Sequence, residues 1–382
     1  MTVDRRAYLD VHVIQTVPPA NLNRDDQGNP KEAYFGGVRR ARVSSQAWKR
    51  ATRTELASHV PELERGTRTK RIAAELASRL GRTGVDGEQA QRLASFLLAP
   101  LGIKAGKKAG DTAYLLFYGH RQLEDVVDLV AHRAPELAAL DDDALTTAVK
   151  DLAVVDKLKT GHPMEVALFG RMVADIASLN VDASVQVAHA LSTHPVELEF
   201  DYYTAVDDQN LADETGAGMI GDIGFNSATL YRYATVGLHQ LHANLTDTDA
   251  ALTAAAAFVR DFARSMPTGY QNAFAHRTLP SMVAVMVRTE QPVNLVSAFE
   301  EPVTVTDGIA AASAVRLAEE YQRITNAWGG APVHTAVCHT FDEKSPAAGR
   351  IREILGAASP FPQLTEGLAG PLAAAMGWDR TA

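Results

Sequence analysis

The segment YLDVHVIQTV, residues 8–17, has the clearest strand pattern in this chain of 382 residues. Its β-branched and apolar residues alternate in part with polar ones, and the pattern stops at Pro18-Pro19. We therefore expect a first strand that lies at the centre of a sheet. Further strand-like patterns occur at 165–169, 183–191, 196–204, 227–236 and 281–289.

Helical patterns fill much of the remaining sequence. Residues 69–159 place apolar side chains at three- and four-residue spacing throughout, and two longer patterns cover 247–265 and 309–327. Helices mixed with consecutive strands predict an α+β fold in which helices pack on one side of a sheet. A ferredoxin-like core with inserts fits this order of elements. The helical residues 69–159 would be a large insert in that core.

The composition narrows the class of protein. An apolar content of 46% is enough for a sizeable core. Residues 1–20 lack the features of a signal peptide, and no apolar run approaches the roughly 18 residues of a membrane span. The single cysteine, Cys338, excludes an internal disulfide and a multi-cysteine zinc site. These features predict a soluble protein in a reducing, cytoplasmic setting, without a membrane partner.

The net charge of −9 argues against a nucleic-acid partner when it is averaged over the chain, because such binding depends on lysine and arginine. The charge is unevenly distributed, however, since residues 38–53 contain several basic residues and no acidic one. A local concentration of positive charge on an acidic protein is typical of a phosphate-binding surface. The basic residues are Arg39, Arg40, Arg42, Lys49, Arg50 and Arg53.

Residues 21–43 are rich in turn-forming residues and predict an irregular loop, which leads directly into a helix. Ser44 and Ser45 are good helix-capping residues, and QAWKRATRTELASHV, residues 46–60, has helical spacing. Phosphates could meet the first backbone amides, the serine hydroxyls and then a polar, basic helix face. Four residues share that face: Gln46, Lys49, Arg50 and Arg53.

A second loop is predicted at 206–224, where the sequence is polar, glycine-rich and without period. Its carboxylate pair, Asp207 and Asp208, could hold magnesium for phosphodiester cleavage, although turn-forming aspartates are more common. No nucleophile, phosphate-loop or histidine–zinc motif accompanies the pair, so the sequence predicts no catalytic residue, metal or cofactor. Tyr203 before the loop and Met172 at the end of LFGRM either pack in a core or stack on unpaired bases.

Four motifs then occur in order along the chain. They are LNRDDQGNPKEAYFGGVRRARVSSQAWKRA at 22–51, ALFGRM at 167–172, VAHALSTHPVELEFDYYTAVDD at 187–208 and SATLYRYATVGLHQL at 227–241. Together they resemble the CasC family, the repeated RNA-binding backbone subunit of the type I-E CRISPR surveillance complex Cascade. The first motif is the most specific of the four.

The resemblance implies a hand-like, non-catalytic subunit. Residues 1–68 and 160–382 would form a palm resembling an RNA-recognition fold, 69–159 helical fingers, and about 200–226 a thumb. Several copies would stack along a CRISPR RNA, and each thumb would flip one base out at a regular interval. The bases between would pair with the target DNA strand of an R-loop. The implied partners are the CRISPR RNA, that DNA strand, further copies of the chain and the other Cascade subunits.

The resemblance also implies roles for single residues. Contacts with the guide backbone are implied for Arg24, Lys31, Ser44, Gln46, Lys49, Arg50 and Arg53, and contacts at the kinked base for Met172, Tyr203, Thr204 and Val206. The basic segment and the residue beside Met172 add further RNA-binding candidates, namely Arg39, Arg40, Arg42, Ser45 and Arg171.

The chain departs from some relatives, which carry a lysine-rich finger helix thought to hold target DNA. Asp141-Asp142-Asp143 occur there instead, and these acids are expected to open a helix. Of the lysines only Lys150 remains, and the basic residues of a nearby glycine-rich loop could supply the missing charge. These are Lys104, Lys107 and Lys108.

Two alternative functions stay open at this point. One is a metal-dependent ribonuclease that uses Asp207 and Asp208, as thumb-loop aspartates do in distantly related type III backbone proteins. The other is a structural subunit whose basic segment docks an acidic protein partner. Magnesium-dependent cleavage of RNA would distinguish the first alternative. Binding of a protein partner that is insensitive to RNA would distinguish the second.

Overall fold

The computed structural model of the protein describes residues 5–102, 111–173, 176–205, 219–304 and 308–378. The strands are β1 (Tyr8–Ala20), β2 (Glu32–Phe35), β3 (Val38–Val43), β4 (Gly66–Thr69), β5 (Leu116–Gly119), β6 (Val185–Val187), β7 (Ala190–Ser192), β8 (Glu199–Ala205), β9 (Met219–Gly237), β10 (Met282–Arg288) and β11 (His334–His339). The helices are α1 (Ser45–Ser58), α2 (Ile72–Gly81), α3 (Gly87–Leu98), α4 (His120–Asp128), α5 (Ala134–Ala138), α6 (Asp142–Val149), α7 (Val154–Lys159), α8 (Met164–Phe169), α9 (Leu238–Leu245), α10 (Thr248–Arg264), α11 (Gln271–Phe274), α12 (Ile309–Trp328), α13 (Pro346–Leu355), α14 (Phe361–Glu366) and α15 (Ala369–Met376).

Strand β1 lies between β9 and β10 in a nine-stranded sheet, so the predicted central strand is confirmed. The order across the sheet is β11–β10–β1–β9–β7–β3–β2, and β6 and β8 also pair with β9. The predicted end of the first strand at Val17 is wrong, because β1 continues through Pro18-Pro19 to Ala20. The register with β9 shifts between Val17 and Ala20, and such irregularities accept proline because no ladder N–H is needed there.

Helices pack against both faces of this sheet. Tyr231 in β9 belongs to a buried cluster that includes Phe299 and residues of α12. The next residue, Arg232, lies instead against Trp48 of α1 and Phe262 of α10. Successive side chains of a strand point to opposite faces, so the prediction of helices on one side only is wrong. The α+β class itself is confirmed, and the ferredoxin-like description of the core stays a prediction.

The chain divides into two compact units. The first comprises Met1–Glu55, Gln186–Leu238 and Ala255–Ala382, and the second comprises Leu56–Val185 and His239–Ala254. The second unit contains the two-stranded sheet β4–β5 and a core of its own built by helices such as α2, α3 and α4. The helical insert predicted at 69–159 lies inside this unit, and the predicted palm and finger boundaries stay predictions.

The loop predicted at 21–43 contains the antiparallel hairpin β2–β3, so that prediction is wrong from residue 32 onward. Its two-residue turn is Gly36-Gly37, with φ of +62° and +78°, and hairpin turns of this length favour positive φ at both positions. The strand predicted at 165–169 is also wrong, because helix α8 occupies it. Short apolar runs fit either structure, and periodicity does not separate them.

Gly36→Ala is expected to destabilise the protein more than Gly37→Ala. Both residues have positive φ, which costs an L-residue about 1–2 kcal/mol. A Cβ at Gly36 would in addition lie 1.6 Å from the backbone oxygen of Glu300, whereas a Cβ at Gly37 would meet open space. Urea unfolding of the two variants measures the difference, and equal losses would show that the hairpin turn does not pack against Glu300.

Among the described residues, none of the helices has the length and apolar character that a membrane crossing requires.

Candidate nucleic-acid interface

Helix α1 begins where the sequence predicts. The Ser44 Oγ accepts a hydrogen bond from the backbone N–H of Ala47 at 3.3 Å, and the Ser44 N–H donates to Asn23 Oδ1 at 2.9 Å. The hydroxyl of Ser44 therefore caps the helix, and the residue is buried. Ser45 beside it is half-buried. The cap fixes the direction in which the first turn of α1 leaves the hairpin.

One face of α1 is polar and basic and the other is buried. Gln46 and Arg50 are exposed, and Lys49 and Arg53 are half-buried on the same face. Within the described part of the chain, the side chains of Lys49 and Arg50 make no hydrogen bond or ion pair with protein groups. These two cations are therefore available to an anionic ligand.

The opposite face of α1 is held to the sheet by Trp48, which is fully buried. The Arg232 guanidinium lies 3.7 Å from the centre of the Trp48 ring and 4.6 Å from that of Phe262. It also donates to Gln15 Oε1 at 2.6 Å and to the backbone oxygen of Phe262. Burial lowers the pKa of Arg232 to about 9, so the group remains charged at neutral pH and stacked between two aromatic rings.

The hairpin β2–β3 adds further cations beside α1. Arg39 is exposed, pairs with the Glu32 carboxylate at 2.6 Å and lies over the Tyr34 ring, and Glu32 raises the pKa of Arg39. Arg42 is half-buried, and its Nε donates to the Glu32 backbone oxygen at 3.0 Å. Lys31 is also half-buried and precedes β2. The charge of Arg39 is largely compensated by Glu32, whereas no carboxylate pairs with Lys31 or Arg42 among the described residues.

The prediction that Arg40 contacts RNA requires correction, because its side chain is fully buried. Its Nε donates to the backbone oxygen of Phe35 at 3.1 Å, Nη1 to that of Ser192 at 3.1 Å and Nη2 to that of Phe299 at 2.8 Å. Burial lowers the pKa of Arg40. The guanidinium joins three segments of the first unit, which leaves it unable to bind a phosphate.

Arg171 requires the same correction within the second unit. It is buried, and its guanidinium donates to the backbone oxygens of Leu179 at 2.6 Å, Leu158 at 2.7 Å and Phe117 at 3.3 Å. Burial lowers its pKa to about 10. The neighbouring Met172 is in contrast 83% exposed, which is unusual for a methionine and leaves its side chain free for a contact with a partner.

Arg24 is exposed, and its guanidinium lies 4.9 Å from the centre of the Tyr270 ring. Tyr270 has a φ of +49°, which is uncommon for a residue other than glycine. The preceding Gly269 is so close to the chain that a Cβ would lie 2.4 Å from the backbone oxygen of Asn21. The sequence alone did not indicate Tyr270, because it lies far along the chain from Arg24.

The predicted thumb is in part a β-hairpin. Strand β8 pairs antiparallel with the first residues of β9, for example Tyr203 with Gly221, so the loop predicted at 206–224 is wrong at 219–224. Residue Val206 and the carboxylates Asp207 and Asp208 lie outside the described residues.

Aromatic side chains line the outer part of this hairpin. Tyr203 is 39% exposed and packs on Gly221, where a Cβ would lie 2.5 Å from the tyrosine hydroxyl oxygen. Thr204 is exposed. Phe200 and Tyr202, two residues apart on one strand face, are 58% and 65% exposed. Phe200 is not among the RNA contacts that the sequence predicts, although the alternation of aromatic and polar residues at Phe200-Asp201-Tyr202 is a signal for it.

The candidate target-DNA contacts belong to the second unit where they are described. Lys150 is exposed at the end of α6, and Asp141 caps the start of that helix by accepting from the N–H of Ala144 at 2.8 Å. The helix-opening role predicted for the three aspartates is therefore confirmed. Asp142 pairs with Arg92 at 2.6 Å. Lys104, Lys107 and Lys108 lie outside the described residues.

Comparisons with known proteins identify the family of the chain. A family model described as CT1975-like protein matches residues 9–364. A chain of a solved "CRISPR RNA-guided surveillance complex, pre-nicking" superposes with a TM-score of 0.83 at 31% identity, over 96% of this chain and 100% of the other. A chain of a solved "CRISPR RNA-guided surveillance complex" superposes with a TM-score of 0.71 at 28% identity, over 95% of this chain and 99% of the other. A search of curated protein sequences found no significant match. The chain therefore belongs to the CT1975-like protein family, the CasC-type family that its sequence motifs predicted.

Proposed function

We propose that the protein is a non-catalytic backbone subunit of a type I-E CRISPR surveillance complex, in which copies of the chain stack along a guide RNA. The observation that carries the proposal is the basic face of α1, where Lys49 and Arg50 are open to a ligand on a helix anchored by Trp48. Support also comes from the two similar chains, both of which come from RNA-guided surveillance complexes.

Phosphates of the guide would follow a track of cations in the first unit. Arg24, Lys31 and Arg42 lie on the segments that lead to α1, and Gln46, Lys49, Arg50 and Arg53 continue along its face. Phosphate contacts fix the position of a nucleic acid without reading its sequence. Base pairing with a target strand would then read the sequence, and the other subunits of the complex would complete the particle.

The β8–β9 hairpin is the proposed thumb. Exposed aromatic rings stack on unpaired bases irrespective of their sequence, and Phe200, Tyr202 and Tyr203 offer such rings. Thr204 would add a contact at a kinked base. The exposed Met172, in the second unit, is proposed separately as a contact with a kinked base. In the second unit, Lys150 is the described residue proposed to contact target DNA, in a set that also includes Lys104, Lys107 and Lys108.

The variant Lys49→Ala/Arg50→Ala is expected to bind single-stranded RNA about 10- to 100-fold more weakly than the native protein. Each lost phosphate contact reduces the slope of log K against log salt by about 0.7 for a single strand, so the slope should fall by about 1.4. Fluorescence anisotropy of a labelled RNA across a salt series measures both quantities. A charge-matched control, Lys157→Ala/Lys344→Ala, removes two cations that lie outside the basic segment 38–53. This control should retain native RNA binding.

Two outcomes would contradict the proposal. Unchanged affinity and slope in the double variant would remove α1 from the RNA surface. Magnesium-dependent shortening of the RNA by the native protein, lost in Asp208→Ala, would favour a ribonuclease. A complementary measurement is sedimentation with guide-length RNA, in which the proposal expects several copies of the chain on one RNA.

A further inference from the structure

We propose that His189 completes a phosphate-binding site with Lys31 and Arg42, and that this site takes up a proton when the guide RNA binds. The inference rests on the proposed function, which it deepens by adding a titratable contact to the track of cations. His189 lies in the third sequence motif, residues 187–208, but the motif implied no role for it. Its contact with Arg42 becomes visible only in the pairing of strands that are distant in sequence.

The sheet positions His189 beside the start of α1. Strands β3 and β7 pair antiparallel, with Arg42 opposite Leu191 and Val43 opposite Ala190. One residue beyond the last pair, the two strands continue into Ser44 and His189 respectively. Ser44 caps α1, so the imidazole lies where the hairpin cations meet the basic helix.

The contact with Arg42 determines the hydrogen-bonding state of the ring. Arg42 Nη1 lies 3.3 Å from His189 Nδ1. A guanidinium can only donate, so Nδ1 is the acceptor and the neutral ring carries its hydrogen on Nε2. His189 is exposed, and Nε2 has no hydrogen-bond partner among the residues that the structure describes. The ring therefore keeps one N–H donor for a ligand beside two cations.

The groups that face His189 favour an anion. Burial, then Arg42 and Lys31, lower the pKa of the His189 imidazole. The nearby carboxylates are already engaged, since Glu32 pairs with Arg39 and Asp25 Oδ1 accepts the backbone N–H groups of Gln27 and Asn29. Lys31 and Arg42 also line an open pocket together with Asp25, Asn29, Pro30, Glu32 and Leu198. His189 is not part of the wall of this pocket and adjoins it through its contact with Arg42.

A bound phosphate would reverse the electrostatic environment of the ring. Its negative charge offsets Lys31 and Arg42 and raises the pKa of His189 in the complex above that in the free protein. The proton enters at Nδ1, the acceptor in the neutral ring, so Arg42 gives up that hydrogen bond and donates to the phosphate instead. The complex then holds more protons than the separate components between the two pKa values. RNA affinity consequently rises as the pH falls through that window, by up to about tenfold for each unit between the two pKa values.

The test measures RNA affinity by anisotropy from about pH 8 down to about pH 5.5, at constant ionic strength, for four proteins. Native protein should bind more tightly at low pH by about tenfold, and His189→Gln should lose most of that dependence. His189→Lys carries a permanent charge, so it should bind tightly at both ends of the range. His132→Gln removes an exposed histidine of the second unit and should keep the native profile.

The outcomes separate this inference from the function on which it rests. Equal pH profiles for native protein and His189→Gln, with RNA binding intact in both, would overturn the His189 site and leave the proposed function standing. Absence of RNA binding by all four proteins at every pH would overturn the proposed function and the His189 site together. Circular dichroism of each variant across the same range verifies that folding is maintained.

Discussion

Trp48→Ala is expected to lower the free energy of unfolding by about 3–5 kcal/mol, the range for removing a large buried aromatic side chain. The Trp48 ring is fully buried and covers the Arg232 guanidinium at 3.7 Å. Its loss would leave a cavity and expose one face of a buried cation. Urea unfolding measures the change, and Trp48→Phe should recover much of it because an aromatic ring again faces Arg232.

Trp328→Ala is the matched control, because Trp328 is 86% exposed at the end of α12. Its replacement should change stability by no more than about 0.5 kcal/mol. If Trp48→Ala proved equally mild, α1 would not depend on its contact with Arg232. Trp48→Ala should also weaken RNA binding at temperatures where the protein is folded, since the basic face depends on the position of α1.

Asp10→Ala is expected to cost about 3–5 kcal/mol, because it breaks a buried ion pair and leaves one partner charged. Asp10 Oδ2 lies 3.1 Å from Arg288 Nε, and both side chains are buried. The carboxylate also accepts from the Tyr233 hydroxyl and the Val293 N–H, each at 2.9 Å. Burial nevertheless raises the pKa of Asp10, which shows that desolvation opposes the pair.

A double-mutant cycle distinguishes the value of the pair from the penalty of an isolated charge. Arg288→Met in the Asp10→Ala background removes the charge that the first change leaves uncompensated. The double variant should therefore unfold at a higher urea concentration than Asp10→Ala alone. A double variant that is less stable than the single one would show that Arg288 contributes mainly through its contacts with Gly330 and Met286.

The elements that the sequence predicts well are those with a long, regular period. The helices at 247–265 and 309–327 were located within a few residues, since their apolar spacing persists over many turns. The start of α1 was predictable because Ser44 provides a local capping signal. The hairpin β2–β3 was missed because Gly36-Gly37 is read equally well as a loop.

The sequence predicts the candidate site only where the local spacing of residues determines which side chains are exposed. The three- and four-residue spacing in α1 correctly separates Lys49 and Arg50 from Trp48. Arg40 and Arg42 look alike in sequence, yet residues near 299, far along the chain, bury only the first of them. His189 and Tyr270 were missed for the same reason, since their neighbours come from distant segments.

The 19 residues of β9 form one uninterrupted strand that pairs with β1 at one end and with β8 at the other. Successive side chains of a strand point to opposite faces. The part of β9 that pairs with β1 therefore fixes which way the side chains point in the part that pairs with β8, which we call the arm. Inserting one residue within 219–226 would turn the arm over and move Phe200 and Tyr202 to the opposite side. Inserting two would keep the sides and lengthen the arm by about 7 Å. The arm can thus change its reach only in steps of two residues, a rule that relatives with longer or shorter arms should obey.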